Sequence, residues 1–422
     1  MRRLFTASGP APRVALSALA LTMGLLVAPA SAQAQVTRFH QEVYDSIQGG
    51  LEYLRRVGVR TGGRYVHRNG RGMDGIAAMV FLDQPRSPDP RDGFSGFRGM
   101  PPLDRVAVVR MLRACIDEEN TLRASGNSVF LSTYSAGQCL MGLARARASG
   151  SPHNVGAGLT VDQAIEVAST SLVDSGDPQR GGWSYGGPGM DMSASHFGWM
   201  GLSAARVYHA DVIDPYMRDS ARIMRQARNL DGGLKYTSVG CSAARPCPAC
   251  PEDEPDCVRC VLGYCQNARS GWSDSSHYLW SAGPWMFAMT GVPLNGPDRQ
   301  LSLRGMRDNF ADVIGSMDWL IAQVRNFPAE SHTYTWSAWT LIKGLDASKN
   351  DGSGDEFVFS EDIGGVRDPV ALGYPDTPRS YYFDIAYYLL RTQQEDGRWN
   401  QEAGPELGTI MALLALERSL GG

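Results

Sequence analysis

Two apolar patterns alternate along the chain. In the first, one face is apolar: Val43, Ile47, Leu51 and Leu54 recur at spacings of three and four, the period of a helix buried on one side. In the second, the residues are apolar nearly all round: Phe197, Trp199, Met200, Leu202 and Ala204 leave no wide polar face, with Gly and Ser between them. A helix of that kind is buried. The alternation predicts six helical hairpins, each an amphipathic helix followed by an apolar one, over 41–82, 104–147, 161–208, 215–289, 306–345 and 381–420. Six buried helices inside six amphipathic ones describe a barrel of helices.

A phrase recurs at the joints of these hairpins. It is a Gly-aromatic turn, then a polar stretch, then the apolar helix. One copy is Gly181-Gly-Trp-Ser-Tyr185 with Asp191 to Leu202, a second is Gly271-Trp-Ser-Asp-Ser-Ser-His-Tyr-Leu-Trp280, and a looser third is Ser331 to Trp339. A repeat of this length is one supersecondary unit that buries its apolar face only against its neighbours. The sharpest joint is Tyr388-Leu-Leu-Arg-Thr-Gln393-Gln-Glu-Asp-Gly397-Arg-Trp399, with degenerate versions at Gln226 to Gly233 and Gln179 to Trp183. In it, Gln is expected to cap neighbouring helix ends, Gly to permit a tight exit, and Trp to pack under the next hairpin.

These motifs resemble the QW repeats of the α/α-toroid superfamily of squalene and hopene cyclases and protein prenyltransferase β-subunits. The resemblance implies an all-α fold, an α/α toroid of about six hairpins with inner and outer helix rings. It does not bring the family's chemistry with it. The Asp-x-Asp-Asp acid of the cyclases is missing, as is the thioester motif of complement-type toroids, and no Cys opens an apolar helix as in the zinc site of the prenyltransferases. The chain is also too short to hold the second helical domain of the triterpene cyclases.

Composition narrows the setting. Arg2 and Arg3, an apolar run from Val14 to Ala28, and the small-residue sites Ala30-Ser-Ala32 and Ala32-Gln-Ala34 read as a secretory signal over 1–34. The mature chain, 35–422, is then one exported repeat domain, periplasmic or extracellular, with no transmembrane segment. The net charge of −4 and the lack of a basic stripe exclude nucleic acid. Eight cysteines suit export. Cys241, Cys247, Cys250, Cys257, Cys260 and Cys265 crowd an insert over 240–266. Its two C-x2-C pairs would suggest zinc in an intracellular chain, but here three disulfides are the favoured reading. Cys115 and Cys139 stand apart and suggest a fourth bridge.

The candidate chemistry comes from stacking the repeats. His196, His277 and His332 fall near the starts of three successive apolar helices, with Asp191, Asp274 and Glu330 just before them. If those helices run parallel, three imidazoles and three carboxylates share one mouth. Such a set could hold zinc at His196, His277 and His332 or perform acid–base catalysis. Equally, Asp191, Ser193, Asp274 and Ser275 suit N-caps, and the histidines suit packing between hairpins. Phe197, Trp199, Tyr278, Trp280, Tyr334 and Trp336, with Trp285 and Trp339, would line a cavity or fill a core. Asp351-Gly-Ser-Gly-Asp355-Glu356 has the oxygen-rich look of a calcium loop without its full pattern, and a flexible acidic loop is expected there. The resulting expectation is an exported toroid that binds a glycan, lipid or peptide in its centre. The alternative is an enzyme, a lyase, hydrolase or cyclase-like protein using the His/Asp cluster.

Overall fold

Thr37 opens the first helix, α1 (Arg38–Arg60), with a capping box: its hydroxyl accepts the His40 amide, and the His40 ring accepts the Thr37 amide. The helices that follow in the computed structural model are α2 (Asp74–Leu82), the single turn α3 (Gly96–Gly99), α4 (Pro102–Ala124), α5 (Thr133–Ala148), α6 (Val161–Ser175) and α7 (Met192–Ala205). Then come α8 (Ala210–Ala227), α9 (His277–Met289), α10 (Pro297–Val324), α11 (Thr335–Asp346), α12 (Tyr381–Thr392) and α13 (Pro405–Leu416). The structure describes residues 36–62, 64–65, 72–124, 133–176, 182–183, 191–228, 232–234, 277–324, 335–348, 365–401 and 404–417. Among them the fold is all-α, with two isolated β-bridges and no strand, and no helix is long and apolar enough to cross a membrane. The expected signal segment over 1–34, the cysteine-rich stretch over 240–266 and the acidic stretch at 351–356 lie outside the described residues.

The apolar helices pack in sequence. α2 lies against α5, α5 against α7, α7 against α9, α9 against α11, α11 against α13, and α13 returns to α2. Every residue of α2 is buried, as is every residue of α13 from Leu407 to Leu416. The amphipathic helices mostly cover the preceding apolar helix: α4 on α2, α6 on α5, α10 on α9, and α1 on α13. Glycine permits the tightest crossings. A Cβ on Gly75 would stand 2.0 Å from the Gln138 carbonyl oxygen, and one on Gly137 would stand 2.1 Å from that of Phe197.

The joint phrase has the same geometry three times. The Trp399 indole N–H donates to the Leu389 carbonyl (2.8 Å), and its amide donates to the Thr409 hydroxyl (3.1 Å). The Trp183 indole donates to the Leu172 carbonyl (3.0 Å), and its amide to the Ser195 hydroxyl (2.8 Å). At the first joint the Tyr65 hydroxyl donates to the Leu54 carbonyl (2.6 Å), and its amide to the Asp74 carboxylate (2.8 Å). In each case the ring closes the amphipathic helix while the amide is held by the first turns of the apolar helix. Gln393 acts differently from expectation. Its amide N–H donates to the Ser46 carbonyl in the middle of α1 (2.9 Å), and the Ser46 hydroxyl donates back to its side-chain oxygen (2.7 Å). It therefore ties the end of α12 to the middle of α1 rather than capping a neighbouring helix end. Gly397 has a φ of 88°, which favours glycine, and a Cβ there would meet the Gly49 carbonyl oxygen at 2.2 Å.

Some helices begin earlier or run longer than their apolar seams suggest. α4 continues past Arg113 to Ala124, through the polar run Asp117-Glu-Glu-Asn120. α10 begins at Pro297 rather than 306, and proline at a first helical position is a start signal. α8 begins ahead of Pro215, which it contains.

Cys115 on α4 and Cys139 on α5 form a disulfide, Cα to Cα 5.3 Å, within the second hairpin. The other six cysteines lie outside the described residues. A crosslink closing a loop of 24 residues restricts the unfolded chain by about 3 kcal/mol. The Cys115→Ala/Cys139→Ala double variant is expected to lose about that much in guanidinium unfolding. Equal midpoints for the two proteins would show that the bridge contributes nothing.

Candidate functional site

The site forms at the N-terminal turns of α5, α7 and α11, with α9 alongside. Asp191 is the N-cap of α7, where its carboxylate accepts the Ala194 amide (2.9 Å) and the Ser193 hydroxyl (2.6 Å). The Tyr134 hydroxyl on α5 donates to Ser193, so a chain of hydrogen bonds runs Tyr134–Ser193–Asp191. Burial raises the Asp191 carboxyl above the usual range, against the lowering effect of those donors.

One turn into α7 is His196, fully buried. Its ring meets Trp285 of α9 edge-on at 5.0 Å and Trp336 of α11 edge-on at 5.3 Å. Phe197 extends the cluster, 4.9 Å from Trp336 and 4.7 Å from Tyr134 between ring centroids. Trp339 joins it behind, 5.4 Å from Trp285. Among the described residues, neither ring nitrogen of His196 has a hydrogen-bond partner. Desolvation alone pushes the imidazole down to about 3, so the ring is neutral across the physiological range. It offers one N–H donor and one lone pair that no described residue uses, although buried polar groups are ordinarily paired.

The candidate residues do not all gather here. Phe197 and Trp336 join His196. Trp199 instead packs on the joint tryptophan Trp183, 6.4 Å away and edge-on. His277, Tyr278 and Trp280 belong to the first turn of α9, but their side chains lie outside the described residues, as do Asp274, Glu330, His332 and Tyr334 altogether. Among the described residues, no three His, Cys, Asp or Glu side chains cluster as metal ligands would. Toward zinc, His196 contributes one unengaged imidazole. Tyr134 was not anticipated. The available signal is positional: it is the second residue of α5, as Trp336 is of α11.

No protein-family model matches the chain, and no curated protein is significantly similar to it.

Proposed function

We propose that the chain is an exported α/α toroid, similar to the squalene-cyclase and prenyltransferase repeat proteins, that works as a binding protein. Its ligand is lipid-like, an apolar body with a single hydroxyl or carbonyl, held against His196. The fold reading is supported by the succession of buried helices from α2 through α13 and back to α2, and by the joint geometry repeated at Tyr65, Trp183 and Trp399. The binding reading rests on one observation: a buried imidazole among aromatic rings whose two nitrogens find no partner among the described residues. Leaving such a group unsatisfied costs about 1–3 kcal/mol. A ligand oxygen that bonds it removes that cost. A glycan, with many hydroxyls, would need more partners than the described residues of this cluster supply.

The test is His196→Leu, which fills the position with an apolar side chain and removes both nitrogens. Native mass spectrometry of the exported protein is expected to show a co-purified, solvent-extractable adduct. The variant is expected to fold and to retain that adduct at least tenfold less. An adduct held equally by both proteins would overturn the reading. A retained metal ion would favour the zinc alternative at His196, His277 and His332. The Tyr134–Ser193–Asp191 chain, ending on a carboxyl held above its usual range, favours a second reading, an acid–base hydrolase or lyase. In that reading Asp191→Asn abolishes turnover while the adduct persists.

A further inference from the structure

A cavity of about 300 Å³ lies where α1, the segment 85–94 and the end of α13 meet, and no residue of the His196 cluster lines it. Its apolar lining includes Val43, Ile47, Phe94, Tyr382 and Leu416. The walls are fixed before any guest arrives. Segment 85–94 closes on itself: the Arg86 amide donates to the Gly93 carbonyl (3.2 Å), and the Ser95 amide to the Gln84 carbonyl (2.9 Å). Pro85, Pro88 and Pro90 restrict its backbone further. The Tyr382 hydroxyl donates to the Leu416 carbonyl (2.6 Å), which holds α12 to α13.

Most polar groups at the cavity are already engaged. Each Asp89 carboxylate oxygen accepts two bonds from Arg91. The Ser87 hydroxyl donates to Asp92 and accepts the Asp89 amide. Both carboxyl oxygens of Glu417 are buried and take no part. His40 is half-buried, and its Nδ1 accepts the Thr37 amide, back toward the start of its own helix. That bond leaves the far edge of the ring, which carries Nε2, to line the cavity. Burial lowers the imidazole below its usual range, with Asp89 opposing, so the ring is neutral at about pH 7 and its one proton is on Nε2. Among the described residues, neither this N–H nor the hydroxyl of the half-buried Tyr44 has a hydrogen-bond partner. The unused groups are therefore donors, set in apolar walls.

We propose that this cavity binds a compact neutral carbonyl compound, a ketone or ester on an aromatic or branched aliphatic body, whose oxygen accepts the His40 Nε2–H. A carbonyl oxygen accepts hydrogen bonds and brings no proton of its own that needs an acceptor, which matches a site whose acceptors are taken. An anion fits poorly, because the apolar walls would strip its water and, among the described residues, the lining holds no Arg or Lys to replace it. An ammonium ion fits poorly as well, since the Asp89 oxygens are filled by Arg91. The cavity volume is at the lower limit for small-molecule sites, which limits the guest to about one ring and its substituent.

The experiment is a ligand-observed NMR titration of the full chain with three guests. They are acetophenone, α-methylstyrene, in which a methylene group replaces the carbonyl oxygen, and benzoate. The first two are expected to bind, and benzoate to bind about tenfold more weakly than acetophenone or not at all. His40→Phe keeps a ring at the position and removes the N–H. It is expected to weaken acetophenone about fivefold, the worth of one neutral hydrogen bond, and to leave α-methylstyrene within about twofold. The retained hydrocarbon also shows that the cavity survives the substitution. Ser87→Trp fills the wall segment and is expected to abolish binding of both neutral guests, whereas His196→Leu is expected to change neither. The proposal is overturned by benzoate binding as tightly as acetophenone, by no binding of acetophenone, or by equal loss of both neutral guests in His40→Phe. Acetophenone binding that persists in Ser87→Trp overturns it too, since the site then lies elsewhere. None of these failures touches the adduct at His196, so the proposed function stands or falls separately.

Discussion

Gly137→Ala is expected to destabilise the protein by about 3 kcal/mol or more, at the upper end of overpacking costs. The added methyl carbon would stand 2.1 Å from the Phe197 carbonyl oxygen and 2.6 Å from its carbon. Both are backbone atoms of a neighbouring helix, so no side-chain rotation relieves the clash. α5 and α7 must separate, and each also packs on a further apolar helix. The matched control is Gly315→Ala on the exposed side of α10, where nothing lies within 4 Å of the new carbon. There the same chemical change removes glycine's backbone entropy and is expected to stabilise by about 0.5–1 kcal/mol. Chemical denaturation of both variants decides the matter. If Gly137→Ala unfolds within about 0.5 kcal/mol of the wild type, the close crossing of α5 and α7 is wrong.

The second large effect is expected in acid. His196 titrates near 6.5 in the unfolded chain and near 3 in the fold, because burial disfavours its charged form. Between these values the unfolded state takes up a proton that the native state refuses. The stability associated with the neutral ring is therefore complete above about pH 6.5 and is lost as pH falls toward 3. At pH 4 the loss is about 3 kcal/mol. Carboxyls raised by burial act in the opposite sense. Asp74, raised to about 6, keeps its proton in the fold after the unfolded chain has lost it, so it favours the native state in acid. The way to isolate His196 is to compare the wild type with His196→Leu at pH 7 and pH 4, since the carboxyl contributions are common to both. The variant is expected to gain about 3 kcal/mol on the wild type over that interval. Parallel behaviour of the two proteins would mean that the imidazole reaches solvent or a partner.

Much of the fold was legible because it is periodic. Val43, Ile47, Leu51 and Leu54 are all buried, as their spacing required, and the apolar helices are buried all round. Helix ends were less legible where a helix outlasts its apolar seam, as α4 does beyond Arg113. The site was legible in part. His196 lies in an apolar helix and Asp191 directly before it, and both are buried as an internal cluster would need. The partners were not legible, since contact between hairpins is a matter of register in three dimensions. Tyr134 and Ser193 meet across 59 positions, and the pairing of Gln393 with Ser46 spans 347. The split of the aromatics, with Phe197 toward His196 and Trp199 toward Trp183, follows from helical phase. Residues 197 and 199 are about 200° apart around a helix, and a list of candidate rings does not show that.

The seam between α1 and the last two helices has a consequence for how the polypeptide reaches its native state. α1 is covered by α12 and α13, and Phe39 packs its ring on Tyr374, Tyr382 and Phe383. During synthesis α1 therefore waits for α12 and α13. Closing so long a loop is slow relative to pairing neighbours, and an unclosed intermediate exposes apolar surface that associates with other chains. A ribosome that stops one hairpin early leaves three sticky faces, the bare side of α1 and the flanks of α2 and α11 that α13 would have covered. Premature termination in this molecule should thus yield aggregates rather than a shorter stable protein.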